Sequence, residues 1–342
     1  MAVDNAIYDM SEWDFLIQAE DDLGTAITTG MQKINLNGDV SVSTEIDYVD
    51  DIRAGDGRTK KSDDVYVNAL GGKRTTITVP MIMDTTVDTM LHENAMGIAT
   101  STSPASIDMQ SDYAPDGTLH NDTHGGGNTV SMTCYLVSPE SGSTRTFAAC
   151  VISQLVGTMD SGAEGGRRTA VLTIVTDYWP VASSSFTGSG SNVKYGTTYR
   201  YLREYTTRVF LASTPVINKI EYTINNPMTS AGAQGTYGDP EIVTRAISGT
   251  TFTMTIGFKY DANYNTMWET FRNGTEVTDL VLSDNATWAS AALGFKLAKI
   301  KIKDLPDPAQ TDAGVFQDVT VEGYGAIDAN GNATGDIVQL VP

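Results

Sequence analysis

The side chains best suited to chemistry in this chain are three histidines, two cysteines and a surplus of carboxylates. His120 and His124, with Asp116 and Asp122 close by, have the donor types of a metal site. They fall in a Gly-rich stretch with no helix to hold them on one face, so no metal is expected there. Cys134 and Cys150 each lie in a strand-like apolar segment and are expected to be reduced and buried. No nucleophile elbow, phosphate-binding loop or dinucleotide fingerprint is present. Acids are plentiful, but no two are spaced so as to single out a general acid and its base. The expectation is a protein that is not an enzyme and carries no cofactor.

The third histidine, His92, belongs to a stretch that occurs twice. Adding 177 to residues 69–97 gives residues 246–274 without a gap, and eight positions match identically: Ala69/Ala246, Gly72/Gly249, Thr76/Thr253, Thr78/Thr255, Asp84/Asp261, Thr89/Thr266, Met90/Met267 and Gly97/Gly274. One long period occurring twice points to two copies of one domain rather than a solenoid. In the second copy Phe252, Met254, Ile256 and Phe258 alternate with threonines, the period of a strand with one apolar face. Asp84 and Asp261 follow as expected helix caps. Val87, Met90 and Leu91, or Tyr264, Met267, Trp268 and Phe271, then recur at helical spacing until Gly97 or Gly274 stops the turn. His92 aligns with Glu269, an exchange that predicts a surface position.

Charge narrows the class further. The formal net charge is −20; residues 1–178 hold 26 acids and 10 bases, and residues 179–342 hold 16 and 12. Phosphate binding requires Lys and Arg to displace counterions, so a nucleic-acid-binding surface is not expected. No apolar run approaches the ~20 residues that span a bilayer, so membrane insertion is not expected either. The start lacks the layout of a secretion signal, which predicts a product made in the cytoplasm.

Elsewhere, Val40, Val42, Ile46 and Tyr48 alternate with Ser41, Ser43, Glu45 and Asp47, and Ile220, Tyr222 and Ile224 alternate with Glu221, Thr223 and Asn225. Each set predicts a long strand with one greasy and one hydrophilic, partly acidic face. Each strand leads into an excursion far longer than a hairpin needs, residues 50–64 and 226–240. Such loops, carrying Arg53, Asp56, Arg58, Lys60 and Lys61 in one copy and Gln234, Tyr237 and Asp239 in the other, are expected to order against a neighbouring subunit. Residues 100–128 read as a loop insertion. Lys296, Lys299, Lys301 and Lys303 read as a basic row on a late strand. A Ser/Gly-rich linker at 179–195 separates a first domain (1–178) from a second (196–342), and the fold class is mainly β, each domain a sandwich or partial barrel with a short packed helix.

This order of parts resembles the tail tube proteins of long-tailed bacteriophages, in the form with two fused tube domains. The parts are an N-terminal strand ending in the acidic turn Glu20-Asp21-Asp22-Leu23-Gly24, long strands joined by an extended loop, a strand with a capped helix, and a closing pair of strands. The resemblance covers nearly the whole chain and rests on topology and the internal repeat. It implies homotrimeric, pseudo-hexameric rings stacked into a hollow tube of the virion tail that conducts double-stranded DNA without holding it. It also implies tape measure, tail terminator and tip proteins as partners. Ser41, Ser43, Glu45, Asp47, Glu221, Thr223 and Asn225 would then line the bore, and the two long loops would reach the adjacent ring. The competing expectation is a β-sandwich adhesin or tail-tip carbohydrate-binding protein, for which Trp179, Tyr195, Tyr199 and Tyr201 would supply the aromatic cluster.

Overall fold

Alternation of apolar residues with Ser and Thr makes strands of most of the described residues, and every described pairing is antiparallel. The computed structural model describes residues 13–21, 24–49, 69–96, 104–110, 131–139, 144–177, 181–183, 196–230, 243–245, 250–306, 316–325 and 336–342. The first half contains β1 (Asp14–Ala19), the short β2 (Gln32–Lys33) and β3 (Asn35–Leu36), β4 (Ser41–Val49), β5 (Ala69–Ile82) and helix α1 (Thr85–Met96). It continues with β6 (Ile107–Gln110), β7 (Met132–Val137), β8 (Thr144–Asp160), β9 (Thr169–Thr176) and β10 (Val181–Ser183). The second half contains β11 (Thr207–Val209), β12 (Ile217–Asn225), the small pair β13 (Met228–Ser230) and β14 (Val243–Arg245), β15 (Thr251–Lys259) and helix α2 (Ala262–Arg272). It closes with β16 (Val277–Ser283), β17 (Gly294–Asp304), β18 (Phe316–Gly323) and β19 (Asp336–Val341).

Eight of these strands form one continuous layer in the order β4-β5-β9-β8-β12-β15-β18-β17. A second layer in each half is built on the same bent strand. The first part of β8 pairs with β7, which pairs with β1; the first part of β17 pairs with β16, which pairs with β11. Ala149, at φ 50, lies where β8 leaves one layer for the other. The registers run in step as well. Thr76 lies opposite Val175 and Thr253 opposite Glu322, and each bent strand carries an irregularity at the same place, between Ile152 and Gln154 in β8 and between Ile302 and Asp304 in β17.

Buried apolar residues of both halves form one contiguous cluster, so Ile77, Leu155 and Leu172 share a core with Tyr222, Met254 and Val321. Two stretches expected to be loop or linker contain short strands. Residues 181–183, inside the expected linker, are β10 and pair with β8. Residues 107–110, inside the expected loop insertion, are β6 and pair with β19 of the other half. Short polar stretches read as loops from composition, but an available strand edge recruits their backbone groups.

Candidate functional site

The eight-stranded layer has one apolar and one hydrophilic face. Ile220, Tyr222 and Ile224 are fully buried, whereas Ser41, Ser43, Glu45 and Asn225 are exposed and Glu221 and Thr223 half-buried. Asp47 falls at the irregularity between Ile46 and Tyr48, and its side chain is outside the described ones. Reading across the strands, Ser41, Thr78, Thr173, Gln154, Asn225 and Thr251 lie side by side. A neighbouring row ends in Glu221, Thr255 and Thr320, and the last two hydroxyls are 2.9 Å apart. Two of the four lysines expected as a row on β17 are held by carboxylates. Lys303 is 2.6 Å from Glu322 and Lys299 is 3.1 Å from Glu276, while Lys219 lies 3.2 Å from Glu221 and 3.7 Å from Asp318. The hydrophilic face therefore offers hydroxyls and several ion pairs beside exposed charges such as Glu45 and Lys301.

The two halves meet where β8 runs beside β12, Gln154 opposite Asn225 and Asp160 opposite Lys219. Here the structure overturns the expectation for His92, which is completely buried. Its Nδ1 faces Asp88, 2.9 Å from the backbone oxygen and 2.8 Å from Oδ1. Its Nε2 is 3.0 Å from the Tyr222 hydroxyl of β12. Arg168, also without solvent exposure, ion-pairs with the other oxygen of Asp88. His92 is buried because β12 covers α1, whereas nothing described in the chain covers Glu269 on α2. The i,i+4 spacing of Asp88 and His92 and the doublet Arg167-Arg168 were the available signals, but neither names Tyr222, 130 residues away from His92 in sequence.

Glycine makes the joint possible. A Cβ on Gly157 would come 2.3 Å from Cζ of Tyr222, so only a residue without one lets the ring lie across β8 toward His92. Burial raises the Tyr222 phenol and Arg168 opposes that shift, so the hydroxyl stays protonated and donates to Nε2. Burial also holds the His92 imidazole down to about 3, so it is neutral at physiological pH.

Free histidine titrates near 6.5, so as pH falls the unfolded chain takes up this proton before the folded one does. The His92 contribution is complete above about pH 6.5 and is lost between about 6.5 and 3, at up to about 1.4 kcal/mol per pH unit. His92→Gln is expected to flatten the stability profile across that window. Equilibrium urea unfolding from pH 4 to 7 measures it, and an unchanged slope would remove His92 as the cause.

Other expected positions are placed as follows. Asp84 accepts from Thr86 N at 2.9 Å and Asp261 from Asn263 N at 2.8 Å, each satisfying a free donor at a helix start. The acidic turn is partly internal, because Glu20 is buried and accepts from Ser131 Oγ, Thr133 Oγ1, and the backbone N–H of Gly24 and Ala149. Cys134 and Cys150 are buried free thiols. Tyr199 and Tyr201 are half-buried beneath Arg167 and Arg203 rather than displayed on a loop. Arg53, Asp56, Arg58, Lys60, Lys61, Gln234, Tyr237 and Asp239 lie outside the described residues, as do His120, His124, Trp179 and Tyr195. Among the described residues no group of three His, Cys, Asp or Glu side chains could hold a metal, and no helix is long and apolar enough to cross a membrane. No protein-family model matches the chain, and no curated protein matches it.

Proposed function

We propose that this chain is the structural subunit of a viral tail tube: two copies of one tube domain that assemble as trimeric, pseudo-sixfold rings and stack into a conduit for double-stranded DNA. The observation that carries this reading is the eight-stranded layer, in which two four-strand units with the same strand order and registers stand edge to edge. Two units already joined laterally, with one face polar and the other packed, are what a ring wall requires of each chain. Three such chains supply six units, and a closed ring leaves no sheet edge exposed. The polar face would border the bore. Lys219 and Lys303 on it are paired with carboxylates, which leaves fewer free cations to displace counterions from DNA phosphates. Tape measure, terminator and tip proteins would then be the partners at the ends of the tube.

Negative-stain electron microscopy of purified protein tests the assembly: rings or tubes are expected, and monomers persisting at all concentrations and salts would refute it. The lining is tested by charge. Glu45→Lys combined with Glu221→Lys is expected to leave tubes intact while making them retain double-stranded DNA. That retention should weaken at least tenfold between about 0.05 and 0.2 M salt. Tubes of this variant that pass DNA as freely as the parent would place the two residues away from the bore.

A further inference from the structure

We infer that one copy of this chain binds the next head to tail through the free edge of β17, residues 301–304 and onward, against the free edge of β4. The register repeats the internal joint of β8 with β12 and sets Asp304 of one copy opposite Glu45 of the next. The closure of such pairs into a ring rests on the tube reading; the pairing itself is argued from the strands.

The edge of β4 is unprotected. Among the described residues β4 is paired on one side only, by β5, and residues 41–46 contain no proline, no lysine and no bulge. Soluble proteins ordinarily guard a strand edge with devices such as these, so residues 41–46, up to the irregularity between Ile46 and Tyr48, present N–H and C=O groups open to another strand. β17 offers the complementary edge. Its residues 301–304 pair with β18 on one side, and its other side is unpaired among the described residues.

The register follows from equivalent positions. Ile152 lies opposite Ile174 and Gln154 opposite Thr173 across the β8 irregularity, while Ile302 lies opposite Val321 and Asp304 opposite Thr320 across that of β17. Asp304 therefore occupies the place of Gln154. Likewise Val42 lies opposite Ile77 and Tyr222 opposite Met254, and Ile77 and Met254 are 177 residues apart in the repeat. Counting along both strands puts Glu45 in the place of Asn225, the residue opposite Gln154 in the internal joint.

Backbone direction agrees. Asn226 N donates to Ser153 O at 2.8 Å and Ser161 N donates to Asn218 O at 2.9 Å, so the odd-numbered residues of β8 turn their backbone groups toward β12. By the same phase Lys303 and Leu305 turn theirs to the free edge, and Pro306, in the place of Val156, would lack its N–H on the β18 side. A proline there removes no seam hydrogen bond.

Helix α2 adds a second surface to the same seam. Asn265 and Glu269 stand where α1 has Asp88 and His92; the α1 pair is buried by the other half, and the α2 pair is exposed. Phe271 on the same helix is 37% exposed. On β4 the residue in the place of Tyr222 is Val42, only half-buried in the isolated chain. A neighbour docked in this register would cover both.

Gln154 and Asn225 form a non-hydrogen-bonded pair, whose Cα atoms lie about 4.5 Å apart, within disulfide range. The test is oxidation of the double variant Glu45→Cys/Asp304→Cys, resolved on a non-reducing gel, beside each single variant and the parent. A ladder that ends at a closed trimer is expected from the double variant, with no cross-linked species from either single variant. Mixing the two single variants is expected to give dimers only. Dimers from Glu45→Cys alone would mean that β4 pairs with its own copy in an isologous interface, and would overturn the proposal. Rings under the microscope without a cross-link would overturn the seam and leave the tube reading standing. Monomers with neither rings nor cross-links would remove both. A second readout uses the facing carboxylates, which oppose each other at this pair. Glu45→Gln/Asp304→Asn is expected to assemble at severalfold lower protein concentration by light scattering, and unchanged or weaker assembly would reject the register.

Discussion

Arg168→Met is expected to destabilise the folded chain by about 3–5 kcal/mol, because it leaves the Asp88 carboxylate buried without its cation. The pair need not be a large source of stability in itself. Removing two charges from water costs several kcal/mol per ion, which their attraction in the interior only partly offsets. The penalty appears when one partner is lost. Arg168→Met/Asp88→Leu, which replaces both charges by apolar groups, is therefore expected to recover most of the loss. Urea unfolding followed by tryptophan fluorescence and far-ultraviolet circular dichroism measures both variants. The cluster also ties α1 and the start of β9 to Tyr222 across the joint, so the two probes should no longer superimpose in Arg168→Met. A loss under about 1 kcal/mol would mean that water reaches Asp88 and the pair is not structural.

Gly157→Ala is the second large effect. The new methyl would lie 2.3 Å from Cζ and 2.5 Å from the hydroxyl oxygen of Tyr222, and neither β8 nor β12 can retreat without breaking the joint. Overpacking of this kind costs about 1–3 kcal/mol, and displacing the ring also leaves the buried His92 Nε2 without its donor, about 1–3 kcal/mol more. Alanine is otherwise well tolerated in a strand relative to glycine, so the cost should be specific to the ring. In a Tyr222→Ala background the same glycine substitution is expected to be nearly neutral. The coupling energy of that double-mutant cycle is the measurement. Additive effects would show that Gly157 is needed for its backbone conformation and not for the approach of Tyr222.

The parts that could be read from the chain are those whose cause is local. Alternation along 251–259 reports a strand because adjacent side chains point to opposite faces whatever lies beyond them. Asp84 and Asp261 report helix starts because their acceptors serve N–H groups two residues on. His92 could not be read this way. The comparison with Glu269 assumed that equivalent positions in two copies share an environment, yet one is covered by β12 and the other by nothing described in the chain. Glu20 misled for a related reason: three consecutive acids look like a solvated turn, and the Ser131 and Thr133 hydroxyls that bury the first of them lie over a hundred residues away. Lys299 and Lys303 of β17 were visible as charges, but their partners Glu276 and Glu322 come from other stretches of chain.

By itself the sequence determined that this is a mainly β protein, that a capped helix follows a strand at Asp84 and again at Asp261, and which face of β12 and β15 is apolar. These follow from side-chain period and capping chemistry within a few residues. Only the tertiary structure decided that the units share one eight-stranded layer, that Asp88, His92, Arg168 and Tyr222 meet inside it, and that β4 and the end of β17 are each paired on one side only among the described residues. Those outcomes depend on which strand lies beside which, and the neighbour of a strand is chosen by backbone hydrogen bonding between segments far apart in the chain.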